Sequence, residues 1–353
     1  MRKSVLLTAL VLGFCVFGVI MVGNSSVVTA VRDFSDKWYY FKLQLGWAGL
    51  GMLAFLFLSN FNHKRLEPWA VPFMAISMLL LVAVLIPGLG LNLLGARRWI
   101  GLGLFSFQPA EVAKLAICIY LAVLFKKPYR FLQFLAPVVV VSGLIMLEPD
   151  LGTTITIVGT AFFMYLGTGG KLLHLTAAVP IGILAVLLLI YVSPYRMARL
   201  KTFFDHTSDP LGASYQIRQS LIGIGSGGFL GRGLGQSRQK YEFLPEVNTD
   251  SIFAVITEEL GFVGAICLIF GYLLLIITGL QVSEHSQNIF SKNLSLGLTC
   301  LVGIQAFINL SSLLALFPLT GIPLTFVSYG GTSLVTALSA SGILVNIAKS
   351  EKL

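Results

Sequence analysis

Apolar runs long enough to cross a bilayer recur along the whole chain, separated by short polar stretches. A helix spans the hydrocarbon layer with about 20 apolar residues. On that measure, runs at 5–22, 43–60, 69–86, 109–125, 131–147, 151–168, 172–192, 252–280, 293–316 and 331–348 each predict a transmembrane helix. The apolar positions are continuous and do not alternate, so the spans are helices and not barrel strands. The predicted fold is an all-α polytopic membrane protein, residues 1–353 forming a single transmembrane domain with ten spans. One connection is far longer than the rest: residues 193–250, between helices seven and eight. A connector of that length is a functional loop with short helices of its own.

Composition agrees with the pattern. The chain is 56% hydrophobic and only 11% charged, too few charges to cover a soluble globule of 353 residues. The first run follows Arg2 and Lys3 as a signal peptide would, but Gly23 to Ala30 is not a clean small-x-small cleavage site and many spans follow. It therefore reads as the first transmembrane helix. Cys15, Cys118, Cys267 and Cys300 lie singly in apolar runs and read as packing residues.

A net charge of +9 raises the question of nucleic acid, but in a membrane protein the position of charge matters more than its sum. With the N-terminus in the cytoplasm, the short inner segments hold Arg2, Lys3, Lys64, Arg65, Lys126, Lys127, Arg130, Lys171, Lys292, Lys349 and Lys352. These are eleven of the 24 basic residues. The positive-inside rule then places both termini in the cytoplasm and the long loop outside, with no nucleic-acid partner.

What remains charged collects at the outer ends of the spans. Arg97 and Arg98 lie in a short outer loop, and Glu111 and Lys114 share one face of the fourth span at i and i+3. Glu148 and Asp150 form the turn between the fifth and sixth spans, and Ser328 precedes the last one. The stretch Tyr241 to Glu259 carries five acids, Glu242, Glu246, Asp250, Glu258 and Glu259, where a polar loop enters a hydrophobic helix. Each has a plain explanation: an ion pair, a turn, or an N-terminal acid favoured by the helix dipole. Their convergence on one leaflet from separate segments instead predicts an outward polar cavity for an anionic, pyrophosphate-bearing substrate, with Asp250 as general base.

Glu258 and Glu259 sit about 12 Å deeper along the axis at 1.5 Å per residue. One of them is expected to face the cavity, with Lys114 as counter-ion. The acids also offer the oxygen donors that Mg2+ or Mn2+ prefers, although no ligand spacing marks a metal site. Upstream, Arg196 to Phe204 predicts an amphipathic interfacial piece and Tyr215 to Ile224 a short helix. The run Gly223 to Gly235 has a backbone that can turn sharply or approach a ligand closely, and its plain reading is a flexible re-entrant turn.

Six ordered motifs resemble one family. They are RRWI at Arg97 to Ile100, QPAEVAK at Gln108 to Lys114, EPDLGT at Glu148 to Thr153, YQIRQSLIGIGSGG at Tyr215 to Gly228, LPEVNTD at Leu244 to Asp250 followed by EELG, and TGIPLTFVSYGGTS at Thr320 to Ser333. Together they are similar to the SEDS (shape, elongation, division and sporulation) proteins, which include FtsW, RodA and SpoVE. The resemblance implies a ten-helix peptidoglycan glycosyltransferase of the cytoplasmic membrane that polymerises lipid II at its outer face, working with a class B penicillin-binding protein. It also implies that Asp250 is the catalytic aspartate, with Arg98, Lys114 and Arg218 stabilising the leaving pyrophosphate. Gly235 to Lys240 looks closer to the FtsW and SpoVE branch than to RodA. The chain departs from the family pattern at Ala110, Asn248, Ser251, Thr325 and Thr332, none of them a charged motif position. Two rival functions fit an outward charged cavity. A flippase predicts polar residues through both halves of the bundle, and few occur in the inner half. A non-catalytic scaffold that activates a penicillin-binding protein predicts that Asp250 is dispensable.

Overall fold

A computed structural model describes residues 2–93, 96–103, 105–174, 213–241 and 244–353, with isolated positions at 176, 179, 180, 182, 184, 191 and 197. Most of the predicted seventh span and of the piece Arg196 to Phe204, together with Glu242, lies outside the described residues.

Helices form where the apolar runs predict them. They are α1 (Lys3–Ser25), α3 (Tyr39–Asn60), α4 (Ala70–Leu85), α5 (Pro109–Leu124), α6 (Phe131–Leu147), α7 (Leu151–Gly167), α9 (Ile252–His285), α10 (Ile289–Leu313) and α11 (Gly331–Ser350). Two shorter α-helices are also described, α2 (Val27–Phe34) at the surface and α8 (Ala213–Ser226) in the long loop, together with a 3-10 turn at His63–Leu66. Five of these helices, α1, α3, α9, α10 and α11, are at once long enough and apolar enough to cross a membrane. The shorter α4, α6 and α7 are also apolar.

Local chemistry sets the boundaries. Pro109 opens α5, where its missing N–H costs nothing. The Asp150 carboxylate caps α7 by accepting from the Thr153 N–H at 2.9 Å, and Asn288 caps α10 through the N–H groups of Phe290 and Ser291. In the middle of the bundle lies α11, buried from Gly331 to Ala348 except at Val335 and packed against α3, α1 and α10.

The segment between α4 and α5 differs from the plain loop expected of it. It folds into an antiparallel sheet of β1 (Gly90–Leu93), β2 (Ala96–Leu102) and β3 (Phe105–Phe107), in that order. Leu91 faces Trp99 and Ile100 faces Phe107, with a register shift after Leu91. Strands this short give no readable alternation, so cross-strand pairing decides them.

Gly261 interrupts α9 with a φ of 68°. The freed hydrogen bonds go to the glycine run. Phe262 N–H donates to the Gly228 carbonyl at 2.9 Å and Val263 N–H to Phe229, while Arg232 and Gly233 donate to the carbonyls of Glu258 and Glu259. Irregular backbone persists at membrane depth only where such bonds are replaced. A Cβ on Gly261 would fall 2.2 Å from the Gly231 nitrogen, so the predicted re-entrant turn is seated in the gap of a broken helix.

Candidate functional site

Asp250 stands half-buried just before α9, whose N-cap is Ser251. Its carboxylate accepts from Thr249 Oγ1 at 3.2 Å and from Gln216 Nε2 of α8 at 3.4 Å, and the same amide reaches Ser251 Oγ at 3.0 Å. Its backbone is fixed separately. Asn309 Nδ2 of α10 donates to the Asp250 carbonyl at 2.9 Å and to the Ile322 carbonyl at 2.8 Å. The neighbouring Asn248 carbonyl accepts from the Tyr329 N–H at 2.8 Å. The acid is therefore held by three separate parts of the chain, α8, α10 and the segment 320–330.

On α5, Lys114 Nζ lies 2.8 Å from Glu111 Oε1 and 2.6 Å from Gln305 Oε1 of α10, and all three side chains are buried. Two of the three ammonium protons are thus committed among the described residues. The other end of the Gln305 amide donates to the Pro323 carbonyl and to Ser333 Oγ. Ser328 is turned inward: its Oγ accepts from the Leu324 N–H, and its carbonyl accepts from Gln44 of α3.

The turn Glu148–Asp150 is tied to the same assembly. Asp150 accepts from Gln108 Nε2 at 3.1 Å, and the Gln108 N–H donates to Thr332 Oγ1. Arg98 spends its guanidinium on this turn, donating to the carbonyls of Glu148 and Pro149. Arg97 only approaches the Leu85 carbonyl at 3.5 Å. Glu148 is wholly buried, and neither of its carboxyl oxygens has a hydrogen-bond partner among the described residues. Burial, with Asp150 adding to it and Arg98 opposing it, pushes this carboxyl up to about 9. Arg218 of α8 is exposed, two residues beyond Gln216.

Glu258 and Glu259 depart from expectation. Neither pairs with Lys114. Glu258 accepts from the N–H groups of Arg238 and Gln239 and from the Ser237 and Ser226 hydroxyls, with Arg232 Nε at 3.6 Å. Glu259 accepts from the Ser237 N–H and from Asn24 of α1, with Lys240 Nζ at 3.5 Å. Both acids bind the loop 232–240 that leads to Asp250. The physical reason is proximity: the glycine run brings its own cations and free N–H groups to them, whereas Lys114 is already held on α5.

The half-buried amide Gln216 and the buried amides Gln305 and Asn309 escaped the sequence reading, which followed charge. A signal was present: Gln305 and Asn309 lie four apart in an apolar helix and so share one face. Among the described residues no group of three or more His, Cys, Asp or Glu side chains is placed to hold a metal ion. The described donors do not assemble a protein-built divalent-cation cage.

Comparison with known proteins gives one consistent result. The family model described as cell cycle protein, covering FtsW, RodA and SpoVE, matches residues 4–353. Stage V sporulation protein E of Bacillus subtilis is 37% identical over 98% of this chain and 97% of its own length. The probable peptidoglycan glycosyltransferase FtsW of Trichlorobacter lovleyi is 37% identical over 99% of this chain and 94% of that protein. Among solved structures, a chain of a peptidoglycan synthase complex that coordinates polymerization and crosslinking matches with a TM-score of 0.80 at 27% identity. That match covers 98% of this chain and 97% of the other. The rod shape determining protein RodA of Thermus thermophilus matches at 0.73 and 26% identity, with the same coverage.

Proposed function

The chain belongs to the FtsW, RodA and SpoVE family of cell cycle proteins, and from that premise we propose how its outer site makes glycan. The protein is a multi-pass membrane peptidoglycan glycosyltransferase. Its substrate is lipid II, and Asp250 is the general base. The acid takes the proton of the acceptor's 4-hydroxyl as that oxygen attacks C1 of the donor sugar, and undecaprenyl pyrophosphate leaves. One observation carries this assignment: Asp250 is a half-exposed carboxylate, its backbone fixed by Asn309 and its side chain set beside Gln216 of α8. A base must be both placed and reachable.

Charge for the leaving group comes from Lys114, which keeps one uncommitted ammonium proton among the described residues, and from the exposed Arg218. Cations aimed where charge develops lower the barrier most. Arg98 serves the site indirectly by fixing the Glu148–Asp150 turn. Ten spans with both termini in the cytoplasm, the long loop outside and a single domain in the cytoplasmic membrane accord with the helices described and with the inner cluster of basic residues. The 37% identity to the sporulation and FtsW relatives supports a role in division or sporulation septum synthesis. A class B penicillin-binding protein is the partner this family assignment suggests, and the match to a synthase complex supports it.

The test is lipid II polymerisation by purified wild type and Asp250→Ala, with lipid translocation measured in liposomes. The variant is expected to lose a hundredfold or roughly more of its polymerisation rate, the scale of general-base catalysis. Glycan chains made at the wild-type rate would rule out Asp250 as base. Translocation that depends on Asp250 without polymerisation would make the protein a flippase.

A further inference from the structure

Two buried amides of α10 connect the charged groups of the site. Gln305 and Asn309, each nearly without exposure, lie one helical turn apart. The orientation of both amides follows from chemistry. An ammonium only donates, so the Gln305 atom 2.6 Å from Lys114 Nζ is its oxygen, and its NH2 is then turned to the Pro323 carbonyl at 3.1 Å. Asn309 meets two carbonyls, those of Asp250 and Ile322, and only an NH2 satisfies both. Each amide therefore joins one element of the site to the same short segment, Ile322–Pro323. Neither a carboxylate nor an apolar side chain could make these paired bonds.

We propose that Gln305 and Asn309 are positioning residues that lock Lys114 and Asp250 into one frame with the Ile322–Pro323 segment. Displacing that segment would move the base and the cation together. Gln305 also keeps the Lys114 ammonium from folding wholly onto Glu111, which leaves its third proton for an anion. This inference rests on the assignment of Asp250 and Lys114 above.

A control for simple loss of stability lies on the same helix. Asn293, equally buried, donates to the Ala122 carbonyl at 3.3 Å. It stands about 24 Å from Asn309 at 1.5 Å per residue. The experiment compares Gln305→Met, Asn309→Leu and Asn293→Leu in the full-length protein, measuring kcat and KM for lipid II polymerisation together with the melting temperature. The site variants are expected to lose about tenfold in kcat with KM changed less than about twofold, the signature of a lost transition-state geometry. Asn293→Leu is expected to keep wild-type kcat with a comparable shift in melting temperature. Should Asn309→Leu fail to fold, Asn309→Ser keeps one donor and is expected to show an intermediate kcat. Equal kcat losses in all three variants, or full kcat in both site variants, would overturn the proposal. Asp250→Ala is assayed alongside. If it polymerises normally, the assignment of the base is wrong, while the kcat of Gln305→Met still judges the Lys114 half.

Discussion

Two acidic regions of this protein are equally buried and oppositely furnished. The pair Glu258–Glu259 in α9 is surrounded by donors: backbone N–H groups of Ser237, Arg238 and Gln239, the Asn24 amide, and two nearby cations. Glu148, at the turn between α6 and α7, has no donor to its carboxyl among the described residues. Burial alone therefore does not say what an acid does in this fold. Acids that meet donors organise a loop, whereas one that meets none is held as the neutral acid. Asp250 is a third case, contacted but half-exposed, and that is the condition a base requires.

The contrast can be broken most severely at Glu258. Glu258→Ala leaves the Arg238 and Gln239 N–H groups and the Arg232 charge without their acceptor. Each buried donor left unsatisfied costs about 1–3 kcal/mol. Thermal unfolding of the purified protein should show a large fall in melting temperature, and polymerisation should be lost with it. A melting temperature close to wild type would mean that the loop 232–240 is held by something else.

Glu148→Gln should act in the other direction. The folded carboxyl titrates at about 9 against an ordinary value near 4.5. Between those two pH values the unfolded chain releases a proton that the folded chain keeps. Stability therefore falls as pH rises through the window, and the contribution is whole only below the lower value. The glutamine variant removes that dependence. It is expected to be more stable than wild type by on the order of 1–3 kcal/mol at pH 8 and to approach wild type at pH 5. Melting temperatures at the two pH values decide it, and an unchanged difference between them would show that Glu148 is ionised in the fold.

The smallest effect sharpens the same comparison from outside. Arg98→Lys replaces a planar fork that holds two carbonyls of the Glu148 turn by a single point of charge. A loss of about 1 kcal/mol is expected, with polymerisation lowered only a few-fold. A loss of activity as deep as that of Asp250→Ala would place Arg98 on the substrate.

Much of this architecture was legible in the chain. Nine of the predicted apolar runs coincide with described helices to within a few residues, because a continuous apolar run of that length marks one helix. Pro109 marks a helix start by its own chemistry, whereas the caps Asp150 and Asn288 emerged only with the structure. The Glu111–Lys114 pair was equally readable, since i and i+3 on a helix are neighbours by geometry. The sheet β1–β3 was not, because its pairing joins residues whose pattern is too short to carry a period.

The sequence by itself determined which segments form apolar helices, where the charged residues lie between them, and which acid stands just before α9. These follow from hydropathy and spacing, which act along the chain. Only the tertiary structure decided the partners. It gave Glu258 and Glu259 to the loop 232–240, Arg98 to the Glu148 turn, and Gln305 and Asn309 to Lys114 and Asp250. A hydrogen bond depends on which donor arrives within about 3 Å. That is set by how helices from distant parts of the chain pack, and no local pattern encodes it.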